Sequence, residues 1–81
     1  MPPDIEQKVL KELSALEHEQ WMKWAGHILE TEDISLATRE RWQKDMIPYE
    51  QLPEEERALD RSFARKSLEV FKKYQDEMAN I

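Results

Sequence analysis

The sequence predicts an all-α fold, a small bundle of two long helices and one or two shorter ones, and three observations carry that expectation. A single Gly, no Cys and 37% charged residues among 81, with Leu, Glu, Lys, Arg and Ala as the common types, describe a helix-rich chain without a disulfide framework. The prolines stand only at Pro2, Pro3, Pro48 and Pro53, where they bound helical stretches and do not interrupt them. Between them apolar residues recur three and four positions apart, the period of a helix with one buried side.

The first helix is expected from Asp4 to about Glu30, with Pro3 in its first turn, where a missing N–H goes unmissed. Ser14-Ala15-Leu16-Glu17 also reads as a capping box, which would split this helix near Leu13; the continuous helix is preferred. Gly26 and the run Glu30-Thr31-Glu32-Asp33 mark its end and a short turn. A second, weakly amphipathic helix follows from Ile34 to about Asp45, capped by Thr31 or Asp33, with Trp42 and Met46 on one side. Pro48 stops it. Tyr49 to Leu52 then makes a turn or a single helical turn, and Pro53 opens a third helix to about Met78. Glu54, Glu55 and Glu56 at its start and Lys72 and Lys73 toward its end match the helix dipole. Residues 1–81 are read as one domain.

The net charge of −6 argues against duplex nucleic acid or an anionic membrane surface as a partner, because both require positive potential. Locally the balance reverses: between Arg57 and Lys73 six basic residues face two acids, which leaves room for an anion site. No apolar run approaches the roughly 20 residues that a membrane-crossing helix needs, and the start lacks the pattern of a signal peptide. A cytoplasmic protein is expected. A chain this short buries only roughly 60 to 65% of its surface, so its core is thin and homo-oligomerisation is a natural supplement.

Two acids fall where apolar side chains belong. Along the first helix Leu10, Leu13, Glu17, Trp21, Trp24 and Ile28 share roughly an 80° arc, and along the third Asp60 lies inside the arc of Leu59, Phe63, Ser67, Val70, Phe71, Tyr74 and Met78. A carboxylate drawn from water needs a donor, so Glu17 and Asp60 are expected in a semi-buried polar cluster between the two long helices. That cluster is either a device that sets helix register or the floor of a ligand pocket. No nucleophile or oxyanion donor accompanies it, so no enzyme is expected. His18 and His27, nine residues apart, have no third ligand at suitable spacing, so neither metal nor cofactor is expected.

Arg57, Arg61 and Arg65 recur at four-residue spacing and form a stripe that could hold phosphates or simply face solvent. Trp21, Trp24, Trp42 and Tyr49 are a generous aromatic supply, and aromatics beside arginines commonly hold a nucleobase with its phosphates. Trp24 is expected in the core and Trp42 exposed. The ligand-binding candidates are therefore His18, Trp21, Trp42, Tyr49, Arg61 and Arg65.

The segments Leu13-Ser14-Ala15-Leu16-Glu17-His18-Glu19-Gln20-Trp21 and Ile47-Pro48-Tyr49-Glu50-Gln51-Leu52-Pro53, continuing to Asp60-Arg61, resemble the RyR domain, the ryanodine receptor repeat. In that family an early helix carries an acid or amide, a His and a Trp, and a later stretch runs from Pro-Tyr through Leu-Pro-Glu to Asp-Arg. The matching positions are Glu17, His18, Trp21, Pro48, Tyr49, Leu52, Asp60 and Arg61, within residues 10–72. Where many RyR domains have a loop resembling Gly-Trp-x-Tyr-Gly, this chain has Ala25 to Asp45, which is similar to small stand-alone phage or bacterial members. The resemblance implies a compact helical sensor or binding module and a nucleotide-derived ligand. The leading expectation is a non-enzymatic protein that binds a small anionic, nucleotide-like molecule, as a phage protein sequestering a host signal would. The alternative is a protein-interaction or self-assembling module in which the motif residues are architectural.

Overall fold

A computed structural model describes residues 1–79. Three α-helices and one 3₁₀ turn follow in chain order: α1 (Pro3–Thr31), α2 (Leu36–Lys44), the 3₁₀ turn Tyr49–Gln51, and α3 (Glu54–Ala79). The all-α architecture of two long helices and a shorter one is as expected.

α1 is continuous. Ser14 does not cap a new helix; its buried hydroxyl donates back to the Leu10 carbonyl at 2.7 Å, a bond that a helix interior tolerates. Gly26 does not end α1 either, since the helix runs on to Thr31, whose hydroxyl donates to the His27 carbonyl at 2.8 Å. A lone glycine weakens a helix by about 1 kcal/mol and does not stop it. The second helix starts later than expected because neither Thr31 nor Asp33 caps it. Ser35 does, in extended backbone geometry, with its Oγ accepting from the Thr38 amide at 3.3 Å. α2 buries none of its residues, and Arg39 ties it to the end of α1 by donating to the Leu29 carbonyl at 3.0 Å.

α1 and α3 pack antiparallel in a register that two polar side-chain contacts report. Lys72 meets Glu6 at 3.1 Å, and His18 faces Asp60 at 3.7 Å. Twelve residues forward along α1 thus correspond to twelve residues back along α3, about 18 Å at 1.5 Å per residue. Between the two contacts Leu10 and Ser14 of α1 meet Ala64 and Leu68 of α3, all buried, with Met1, Val9 and Leu13 packed at the margin. Ser14 and Ala64 are wholly buried and small, which lets the two helices approach closely. Tyr49 and Leu52, from the segment that links α2 to α3, complete the buried set with Ala25 and His18.

This packing turns both long helices away from their expected orientation. The buried side of α1 is Leu10, Ser14, His18 and Ala25, rotated about 60° from the arc of Leu10, Trp21 and Trp24. On α3 it is Ala64 and Leu68, rotated about 100° from the richest apolar arc. Trp24 is 55% exposed, whereas Trp42 is half-buried, the reverse of the expected order. The physical reason is closeness: small side chains in register bring backbones together, and a stripe of Phe, Tyr and Val would hold them apart. The result is an elongated body of 53 × 24 × 14 Å.

Candidate functional site

Near one end of the helix pair, α2 and the link to α3 fold over the last turns of α1 and enclose a cleft of about 280 Å³. Its aromatic wall begins with His18. That ring stacks on Trp21, one turn further along α1, with centroids 5.8 Å apart and planes 16° from parallel. Trp21 in turn meets Trp42 of α2 edge to face at 6.2 Å, and Trp42 lies against Trp24 at 5.5 Å. Leu52 and Leu59 add apolar lining, and Arg41 is the basic residue among the lining side chains.

The opposite wall is acidic. Asp45, at the end of α2, and Glu56 and Asp60, one turn apart on α3, all line the cleft. The Asp45 carboxyl beside it, reinforced by burial, pushes Glu56 up to about 7, because two carboxylates in contact do not both stay charged. The Oε2 atom of Glu56 is buried with no hydrogen-bond partner among the described residues. Burial raises Asp60 above the ordinary carboxylate value; His18 opposes that shift, while Glu17 and Asp45 add to it.

His18 is almost wholly buried, and its Nε2 lies 2.7 Å from the Ile47 carbonyl oxygen. A carbonyl only accepts, so Nε2 carries the proton and Nδ1 turns to Asp60 Oδ2 at 3.7 Å, beyond hydrogen-bond length. The ring therefore links three parts of the chain: α1 that bears it, the segment after α2 that it pins through Ile47, and α3 that it faces.

The residues singled out from the sequence separate into three places. His18, Trp21, Trp42 and Asp60 converge on the cleft. Glu17 is half-buried beside it and close enough to act on Asp60, but it makes none of the side-chain hydrogen bonds seen among the described residues. Tyr49 and Arg61 line a second hollow of about 330 Å³ with Lys11, Glu54 and Arg57. There the Arg61 guanidinium is occupied by Glu54, whose carboxyl it holds below the usual range, and Arg57 joins the same carboxylate at 3.0 Å. Arg65 is exposed and lines neither hollow. Sequence reasoning missed Arg41, Asp45 and Glu56. Glu56 was within reach, since it stands one helical turn before Asp60; Asp45 was not, because its place depends on how α2 docks.

Among the described residues no three His, Asp or Glu side chains are grouped to hold a metal ion, and no helix is long and apolar enough to cross a membrane. No family model, curated protein or solved structure matches the chain.

Proposed function

We propose that the chain is a non-enzymatic small-ligand-binding protein whose cleft takes a flat group rich in N–H donors, such as a guanidinium or an aminated heteroaromatic ring. The observation that carries this reading is the unpaired Glu56 Oε2, placed beside Asp45 in a cleft walled by Trp21 and Trp42. A buried acceptor without a partner leaves roughly 1–3 kcal/mol unrecovered, which a donor on a ligand would recover. Indole faces attract flat cations and stack on rings of any kind.

The nucleotide-derived ligand expected from the sequence fits this cleft by its base rather than its phosphates. Aminated base edges would donate to Asp45, Glu56 and Asp60, whereas each phosphate would meet three carboxyls with Arg41 as the one cation lining the site. Affinity should therefore fall along the series nucleoside, monophosphate, diphosphate. Calorimetry and tryptophan fluorescence against that series, with guanidinium and amidine compounds alongside, test the reading. Tightest binding by the diphosphate, or no heat from any member, would overturn it.

A second reading, a self-assembling or interaction module with the motif residues architectural, is favoured by a different observation: the side of α3 richest in apolar residues is left uncovered.

A further inference from the structure

Leu59, Phe63, Val70 and Tyr74 form a stripe on α3 turned about 130° from the side that meets α1. Phe71 and Met78 extend it toward the core, and these six side chains are 44–61% exposed. We propose that this stripe is the interface between two copies of the chain, with their α3 helices antiparallel.

Area supports a second copy. With roughly 150–250 Å² on each aromatic side chain, the six together leave about 600 Å² uncovered, the upper end of what a soluble monomer presents. Two such stripes face to face bury about 1,200 Å², the lower limit of specific interfaces, before flanking residues are counted.

Charge selects the direction. Glu55, Lys66 and Lys73 recur along one edge of the stripe, with Lys66 over the Phe63 ring at 5.6 Å and Lys73 over the Tyr74 ring at 5.5 Å. Reversing one helix against the other sets Glu55 of each copy beside Lys73 of the other, twice by symmetry, with Leu59 against Val70. A parallel pair would carry this edge of one copy to the opposite side of the interface from the other copy's, so Glu55 and Lys73 would not meet. Opposed helix dipoles favour the same arrangement. The net charge of −6 on each copy opposes association at low ionic strength, so the measurement belongs at physiological salt.

Sedimentation equilibrium of the full chain tests the proposal, with circular dichroism to verify that each variant keeps its helices. The unaltered chain is expected to be dimeric and Val70→Glu monomeric at unchanged helicity. Glu55→Lys and Lys73→Glu should each weaken the dimer about tenfold, and the two together should restore it. A monomeric unaltered chain, a trimer or larger assembly, or a dimer that survives Val70→Glu would overturn the interface. Failure of the double variant to recover would overturn the antiparallel arrangement. Leu59 lines both the stripe and the cleft, so the measurement is made on ligand-free protein.

Discussion

His18 of α1 faces Asp60 of α3 across 3.7 Å while its other ring nitrogen donates to the Ile47 carbonyl at 2.7 Å, so one buried imidazole holds three parts of the chain together. Removing it with His18→Ala leaves the Ile47 carbonyl without its partner and opens a void beneath Trp21. The expected loss is about 2–4 kcal/mol, read from urea unfolding at fixed protein concentration. Asp60→Asn keeps the shape and supplies an N–H donor toward Nδ1, so its stability should stay within about 1 kcal/mol of the unaltered chain. A large loss in Asp60→Asn with little in His18→Ala would contradict the assigned hydrogen bond.

Glu56 makes stability depend on pH in a direction opposite to that of most carboxylates. Its folded value of about 7 lies above the ordinary 4.5, so the native chain holds the proton more tightly than the unfolded chain. Stability from this group is full below 4.5, falls as pH rises through the window to about 7, and levels off beyond it. Glu54, held low by Arg61, acts oppositely below its own ordinary value, so the comparison to make is with Glu56→Gln. Above pH 7 that variant should gain about 1 kcal/mol after allowance for solvent at the cleft, or about 4–8 °C in melting temperature, and the gain should vanish in acid.

Proton release should accompany ligand binding for the same reason. A donor or cation against Glu56 favours its charged form, so affinity rises with pH through about 7. Calorimetry of one ligand in buffers of differing ionisation heat measures the protons released; release near pH 7 is expected from the unaltered chain and none from Glu56→Gln.

α2 has no buried residue, and Trp42, against Trp21 and Trp24, is its main hold on the rest of the molecule. Trp42→Ala should therefore abolish amide-exchange protection across residues 36–44 and leave that of the Leu10–Ala64–Leu68 core almost unchanged. Uniform loss of protection throughout the chain would show that α2 belongs to the same cooperative unit as the core.

Gly26 sits inside α1, and a Cβ placed on it would meet nothing within 4 Å. Gly26→Ala should stabilise the chain by about 0.5–1 kcal/mol, because the helix gains a better former and the unfolded chain loses freedom. Thermal melts of the two proteins at equal concentration decide the matter.

Elements that depend on neighbours along the chain were legible without a structure. Proline placement, the acidic first turn of α3 and the unbroken helical period were enough for α1, α3 and the turn between Pro48 and Pro53, since caps and propensity act over a few residues. The starting point of α2 was misjudged because Thr31, Asp33 and Ser35 all have capping chemistry, and only the backbone geometry at Ser35 selects among them. Asp60 was found because an acid on an apolar arc demands a partner, His18 as a donor within its reach, and Trp21 from the aromatic supply. Asp45 was not, because its place depends on how α2 docks, and Glu56, one turn before Asp60, was legible but passed over.

Which sides of the helices meet was a tertiary decision. A hydrophobic arc ranks residues by the surface they would gain from burial, and on α3 it ranked Phe63, Val70 and Tyr74 above Ala64 and Leu68. Packing ranks them by fit: Ser14 and Ala64 admit a second backbone at close range, and the Glu6–Lys72 and His18–Asp60 contacts share that register. Periodicity carries no information about the partner surface, so it could locate an apolar stripe on α3 without foretelling that the stripe would face outward.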